Sequence, residues 1–189
     1  MPLKVLVVCT ANVCRSPMAA ALLRRHCEGL GIDAAVTSAG TGSHGLPVDP
    51  AAVTALSERG LDISHHHPRR IDPAILAADG ADLVLTMTRE HLRTVATSAT
   101  GVFGRAFTLR ELVRRDGAAR PSGGRGLEHW LAEVAVGRRA SDLMGSDPQD
   151  DIADPYGLSL ATHRECATEL DRLTEAVARA LAAAGAPRV

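Results

Sequence analysis

The sequence predicts an α/β fold, a three-layer open parallel sheet of about four strands with helices on both faces. Two observations support this prediction. Short apolar runs rich in valine and leucine alternate with helical patterns along the chain, and strands joined through helices form parallel sheets. Three of the helical patterns also begin with a capping residue followed by proline, at Ser16-Pro17, Asp49-Pro50 and Asp72-Pro73, which is the usual start of a helix.

The elements follow in chain order. Strands are predicted at residues 3–8, 35–38 and 82–87, and a further short strand within 103–109. Helices are predicted at 17–27, 50–59, 89–96 and, as a long closing helix, 158–184. Glycines at 29, 60 and 80 follow helical patterns and are plausible stops.

Residues 1–189 are expected to form a single domain with one elaborated loop at about 116–151. That stretch is rich in glycine, serine and proline and carries a short amphipathic segment around 129–136. With 46% hydrophobic residues and only 2% aromatic ones, alanine, leucine and valine must fill the core.

Charge and cysteine usage exclude several classes of protein. The net charge is −1, from 21 basic and 22 acidic residues, so no global field attracts nucleic acid or a membrane surface. No apolar run approaches the roughly 20 residues that span a bilayer. The four cysteines are Cys9, Cys14, Cys27 and Cys166; without a secretory leader pattern they predict a reduced, cytoplasmic protein rather than a disulfide framework.

The most informative segment runs from Cys9 to Ser16, directly after the first strand. A cysteine and an arginine six residues apart can enclose one tetrahedral anion. The loop leads into a helix N-terminus, where unpaired N–H groups and the helix dipole favour an anion and also a thiolate. Because ligands lie beyond the carboxyl ends of parallel strands, Cys9 is expected at the functional edge of the sheet.

This segment resembles the active-site loop of the low-molecular-weight protein tyrosine phosphatases, whose pattern is Cys-x-Gly-Asn-x-Cys-Arg-Ser-Pro. The resemblance continues at residues 36–41, 60–63, 81–87 and 154–157. It covers most of the chain except 116–151, which is longer than the family usually carries. The resemblance implies a phosphomonoester hydrolase, with protein phosphotyrosine as the leading substrate. Such an enzyme needs no cofactor, takes a phosphorylated protein or a small phosphate ester, and releases inorganic phosphate.

The resemblance also implies roles for individual residues. Cys9 attacks phosphorus and forms a phosphocysteine, and Arg15 stabilises the transferring oxygens. Ser16 donates a hydroxyl hydrogen to the thiolate, and Asn12 fixes the loop in a left-handed conformation. The residues that would contact phosphate are Thr10, Ala11, Asn12, Val13, Cys14, Arg15 and Ser16.

Asp154 is implied as the general acid and base, with Asp151 the nearest competitor. Tyr156 and His44 are expected as walls of the substrate cleft; a packing tyrosine and a solvated loop histidine are the alternatives. Cys14 is implied to trap an oxidised Cys9 as a disulfide. The alternative is that Cys14 is only a small residue that fills the base of the loop.

Two loop positions need separate comment: Ala11 departs from the family pattern, and Val13 does not decide between phosphotyrosine and phosphoarginine as the substrate. Ala11 replaces the family's glycine, which would cost on the order of 1 kcal/mol if that position required positive φ. Val13 is aliphatic, as in phosphotyrosine-directed relatives, but is similar in size to the threonine of phosphoarginine-directed ones. The run His65-His66-His67 lacks further ligands at suitable spacing, so no metal site is expected.

Other functions remain open on the same scaffold. A small-molecule or phosphoarginine phosphatase would use the same loop. An arsenate reductase would need further cysteines for its disulfide relay, and none lies between Cys27 and Cys166. A noncatalytic phosphate-binding or redox-sensing module would have the same fold without phosphatase activity.

Overall fold

A computed structural model describes residues 1–42, 45–77, 80–118 and 125–189 of the chain. Its centre is a sheet of four strands in the order β2-β1-β3-β4, in which every neighbouring pair is parallel. The strands are β1 (Leu3–Cys9), β2 (Ala34–Gly40), β3 (Leu83–Thr86) and β4 (Ala106–Thr108). The predicted fold class is confirmed.

Seven helices accompany the sheet in the described part of the chain. They are α1 (Arg15–Gly29), α2 (Pro50–Ser57), α3 (Pro73–Leu76), α4 (Arg89–Ser98), α5 (Leu109–Asp116), α6 (Leu127–Val134) and α7 (Leu160–Ala184). Two single turns of 3₁₀ helix occur at Val102–Arg105 and Ala140–Leu143.

The two faces of β1 belong to different apolar cores, which is why helices cover both. Val5 and Val7 point into the larger core, together with buried residues of α1, α2 and α7. Leu6 and Val8 point into a smaller core that includes Leu92 of α4. Successive side chains of a strand alternate between faces, so a nearly continuous apolar strand is buried on both sides.

The capping prediction is correct at two helices and wrong at one. Asp49 and Asp72 accept backbone N–H groups at the starts of α2 and α3, each followed by proline. Ser16, however, does not cap α1, which begins at Arg15 with Cys14 at the capping position. The loop runs directly into the helix, and this leaves the Ser16 hydroxyl free to face the loop interior.

The predicted strand within 103–109 is shorter than expected. A 3₁₀ turn occupies its first half, only Ala106–Thr108 forms β4, and Leu109 already begins α5. The Thr108 hydroxyl accepts the N–H of Glu111 and so starts this helix. Because the Thr108 side chain caps a free N–H group in the first turn of α5, the helix starts directly after β4 and the strand stays short.

The segment 116–151 is anchored to the sheet by Arg138. The guanidinium of Arg138 lies over the rings of Phe103 and Phe107, 4.3 Å and 4.0 Å from their centroids. It donates to the Glu111 carboxylate at 2.8 Å and is almost fully buried. Residues 119–124 of this segment lie outside the described residues. None of the described helices is long and apolar enough to cross a membrane.

Candidate active site

Cys9 is the last residue of β1, and the loop that leads into α1 begins directly after it. Its Sγ lies 3.0 Å from the Ser16 hydroxyl oxygen and accepts the backbone N–H of Asn12 at 3.3 Å. The residue is only 3% exposed. The Asn12 N–H favours a thiolate, because hydrogen bonds donated to a charged form favour that form.

Asn12 holds the loop in shape. It is the one non-glycine residue with positive φ among the described residues, at 60°, a conformation that asparagine tolerates better than most residues. Its Nδ2 donates to the hydroxyls of Ser16 and Ser38, both at 2.8 Å. Its Oδ1 accepts the backbone N–H of Arg69 at 3.0 Å. Ala11 does not adopt positive φ, so its replacement of glycine carries no backbone strain of that kind.

Gly40, at the end of β2, allows the loop to pass close to the sheet. A Cβ atom at this position would lie 2.6 Å from the carbonyl oxygen of Thr10 and 3.0 Å from the carbonyl carbon of Ala11. Atoms cannot approach so closely without displacement of the loop backbone. Glycine at this position is therefore part of what positions the anion site.

Arg15 is fixed by groups on three segments. It is 4% exposed, and it donates to the carbonyl oxygen of Ile152 at 3.1 Å and to the Thr10 hydroxyl at 3.2 Å. One of its terminal nitrogens also contacts the Asp154 carboxylate. Its Nε is buried and has no hydrogen-bond partner among the described residues. An unpaired donor of this kind is costly unless an acceptor binds there.

His91 is a site residue that the sequence analysis missed. Its Nε2 lies 2.9 Å from the Thr10 hydroxyl and its Nδ1 lies 2.9 Å from the Thr88 hydroxyl. The Thr10 hydroxyl also accepts a hydrogen bond from Arg15. Burial, and then the charge of Arg15, lower the pKa of His91 to about 4, so the ring is neutral, with one nitrogen as donor and the other as acceptor. Its place just after β3, at the carboxyl edge of the sheet, was the available signal.

His66 is the second histidine that the sequence analysis missed. Its Nε2 lies 3.0 Å from the carbonyl oxygen of Asn12 and 3.2 Å from the Asn12 Oδ1. Burial lowers the pKa of His66. His65 and His67, its neighbours in sequence, are exposed, so the contact of this run with the loop is made through His66.

A cleft of about 240 Å³ opens onto the loop. Cys9, Val13, Arg15 and Asp154 line it, and Leu46 and Tyr156 add apolar surface. Tyr156 therefore lies where a cleft wall was expected, and Leu46 is a wall that the sequence analysis did not anticipate. His44, the other predicted wall residue, lies outside the described residues.

The structure separates the two candidate acids. Asp154 lines the cleft and contacts Arg15, and its other oxygen accepts the backbone N–H of Tyr156 at 3.2 Å. The Asp151 carboxylate instead accepts the backbone N–H groups of Arg89 at 2.7 Å and Asp147 at 3.2 Å. Asp151 thus holds a turn together and is committed to backbone donors.

Cys14 also lines the cleft and is buried beside Asp49 and His163. Its Sγ lies 3.9 Å from the His163 Nε2. Burial, followed by the charge of Asp49, raises the pKa of the Cys14 thiol well above its ordinary value. Cys14 is therefore a protonated thiol in this environment.

A thiol among N–H donors, an arginine with a spare donor and a carboxylate at the mouth of the cleft define the class of site that cleaves phosphate esters through cysteine. The family model described as low molecular weight phosphotyrosine protein phosphatase matches residues 4–120. The chain belongs to this family of cysteine-dependent phosphatases.

Individual relatives agree with this assignment. A probable low-molecular-weight protein-tyrosine-phosphatase, EpsP of Ralstonia solanacearum, is 38% identical over 113 residues, which are 59% of this chain and 74% of that protein. A protein-arginine-phosphatase of Bacillus subtilis is 29% identical over 94% of this chain and 95% of its own length. A solved structure of the arginine phosphatase YwlE, a cysteine-to-serine mutant with a phosphorylated active site serine, is 28% identical. Its TM-score is 0.71, with 95% and 96% of the two chains covered.

Proposed function

We propose that this phosphatase hydrolyses phosphotyrosine in proteins through a phosphocysteine on Cys9. The observation that carries the proposal is the position of the Cys9 Sγ at the end of β1, where it accepts the N–H of Asn12 and faces the Ser16 hydroxyl. The phosphorylated active site serine in the YwlE mutant supports a nucleophile at this point of the loop.

In the first step the Cys9 sulfur attacks phosphorus. A sulfur–phosphorus bond forms while the bond between phosphorus and the phenolic oxygen breaks, and Asp154 donates its proton to the departing oxygen. In the second step Asp154 takes a proton from water, whose oxygen attacks phosphorus. The sulfur–phosphorus bond breaks, and inorganic phosphate leaves. One carboxyl group thus serves as acid and then as base.

Arg15 has a different partner before and after the substrate binds. Without substrate, its terminal nitrogen contacts Asp154, and its Nε has no acceptor within the part of the chain that the structure describes. A bound phosphoryl group would supply oxygens to both, since a guanidinium is suited to two parallel hydrogen bonds. The exchange also releases the Asp154 carboxyl group so that it can face the leaving oxygen.

The apolar lining of the cleft supports an aromatic substrate. Val13, Leu46 and Tyr156 give it a mostly apolar wall, and Tyr156 is half exposed, so its ring is available to stack on a phenyl ring. Val13 has no polar atom with which to bind a guanidinium group.

Phosphoarginine is the second candidate, because the Bacillus subtilis protein-arginine-phosphatase matches nearly the whole chain. Peptides that carry phosphotyrosine or phosphoarginine should be compared by kcat/KM. We expect the phosphotyrosine peptide to be preferred, and we expect Val13→Thr to shift the ratio toward phosphoarginine by adding a hydroxyl group. A wild-type preference for phosphoarginine would overturn the choice of substrate and leave the phosphatase chemistry intact.

The chemistry itself is tested with aryl phosphates whose phenols differ in acidity. We expect Cys9→Ser to abolish turnover. We expect Asp154→Asn to lower kcat/KM, which reports the steps up to the phosphocysteine, by about 10²-fold or more for poor leaving groups, and by much less for activated ones. Asp151→Asn is the matched control: the ratio of its activity to that of the wild type should be the same for every leaving group. Turnover that survives Cys9→Ser, or an Asp154→Asn variant as active as the wild type on every ester, would overturn the mechanism.

The same proposal includes a cytoplasmic location, supported by the four cysteines, all of which are free thiols. It includes no cofactor, because the thiol, the carboxyl group and the guanidinium supply the nucleophile, the acid and the positive charge. No nucleic acid or membrane partner is proposed, consistent with the net charge of −1. Segment 116–151 is proposed as part of one phosphatase domain, since Arg138 joins it to the sheet.

A further inference from the structure

Cys14, Asp49 and His163 form a compact buried cluster beside the cleft. One ligand atom from each lies within 4.8 Å of the others. The His163 Nε2 lies 3.9 Å from the Cys14 Sγ and 3.3 Å from the Asp49 Oδ1. His163 is 1% exposed and Cys14 is 2% exposed. The three residues are distant in sequence, so only the fold brings them together.

These separations fit the tetrahedral coordination of a divalent cation. Zinc binds thiolate sulfur at about 2.3 Å and histidine nitrogen or carboxylate oxygen at about 2.0–2.2 Å. At tetrahedral angles such bonds place the ligand atoms about 3.3–3.6 Å apart. The pairs that contain the His163 Nε2 therefore need to move by only a few tenths of an ångström.

The surroundings orient the ligands as metal sites require. The Nδ1 of His163 lies 3.0 Å from the carbonyl oxygen of Ser159, and a donated hydrogen bond there leaves Nε2 to face the cluster. Histidine ligands are usually oriented through their second nitrogen in this way. The Oδ1 of Asp49 accepts two backbone N–H groups at the start of α2, which fixes the carboxylate and leaves the lone pairs of Oδ2 for an ion.

We propose that Cys14, Asp49 and His163 form a binding site for a borderline-soft divalent cation such as Zn²⁺, which enters from the cleft and inhibits the phosphatase. A thiolate, an imidazole and a carboxylate favour such an ion over Mg²⁺ or Ca²⁺. On binding, a metal–sulfur bond forms and the thiol proton passes to solvent. Because Cys14 lines the cleft, water can complete the coordination.

Inhibition follows from where the cluster lies. Cys14 belongs to the anion loop, whereas Asp49 caps α2 and His163 lies in the first turns of α7. An ion would tie the loop to both helices and alter the amides that hold phosphate. This inhibitory part rests on the proposed function; the binding part does not.

Binding is tested on the full chain in the Cys9→Ser background, which removes the other thiol at the loop and all dependence on turnover. Titration with Co²⁺ should give a thiolate-to-cobalt charge-transfer band, and Zn²⁺ should displace the cobalt at one equivalent. Cys14→Ser should abolish the band, and His163→Gln should weaken binding by about 10–100-fold. Cys27→Ser, also a buried cysteine, is the matched control and should bind normally.

The absence of the band in the Cys9→Ser protein would overturn the site, as would an unchanged band in Cys14→Ser. Because these variants could fold differently, each is compared with its parent by circular dichroism, and the parent result stands alone as a test. In the protein with Cys9 intact, Zn²⁺ should inhibit reversibly, with recovery on chelation. Equal inhibition of His163→Gln would overturn the inhibitory role.

Discussion

Replacement of Asn12 by alanine should destabilise the protein more than any other single loss in the loop. The side chain of Asn12 is fully buried and makes four hydrogen bonds, with Ser16, Ser38, His66 and the backbone of Arg69. At about 1 kcal/mol each, their loss costs about 4 kcal/mol. Alanine at the φ of 60° adds roughly 1 kcal/mol of backbone strain.

The free energy of unfolding should be measured by urea denaturation for Asn12→Ala, Asn12→Gly and the control Gln149→Ala. Glycine tolerates positive φ but loses the same four bonds, so it should stay within about 1 kcal/mol of alanine. Gln149 is exposed, and its variant should change stability by less than about 0.5 kcal/mol. If Asn12→Gly were as stable as the wild type, backbone conformation and not the hydrogen bonds would explain the asparagine, and this reasoning would fail.

Three further predictions concern the surroundings of the site. Arg138→Ala should cost about 2–3 kcal/mol in thermal or urea unfolding because it removes a buried charged partner of Glu111, which then keeps only Arg115. Arg179→Ala, in an exposed ion pair, should cost less than about 1 kcal/mol; similar losses would contradict this. Burial lowers the pKa of His91 from 6.5 to about 4 in the folded state, so the unfolded chain takes up the proton first. Stability should therefore fall by up to about 1.4 kcal/mol per pH unit as the pH drops through that window, and His91→Gln should lose this part of the slope in urea unfolding at several pH values. Gly40→Ala should raise the inhibition constant for inorganic phosphate because a Cβ collides with the loop backbone, while Gly104→Ala, which meets no atom within 4 Å, should leave it unchanged; equal constants would refute the packing argument.

Local sequence signals predicted the elements better than their ends. The apolar runs of β1 and β3 and the Asp-Pro starts of α2 and α3 are local features, and all four elements occur where they were predicted. The predicted start of α1 was wrong because the Ser16 hydroxyl contacts the Cys9 Sγ and does not cap the helix, as serine often does. A side chain committed to a site does not follow the statistics of its residue type.

The candidate site divides in the same way. Cys9, Arg15 and the loop between them are contiguous, so the sequence could specify them together. His66, His91 and Gly40 were missed because the loop residues that they contact lie 28 or more positions away in sequence for Gly40, 54 for His66 and 81 for His91. The sequence does not show which distant residue a histidine or a glycine contacts.

The sequence by itself determined the parallel sheet and placed Cys9 and Arg15 in one loop between a strand and a helix, because alternation, helix starts and residue spacing are local consequences of backbone geometry. Only the tertiary structure decided which acid faces the cleft, that Ala11 avoids positive φ, and that Cys14 meets Asp49 and His163. These outcomes depend on how α2, α7 and the segment before α7 pack around the loop. Packing is a property of the whole core, and no short stretch of sequence contains it.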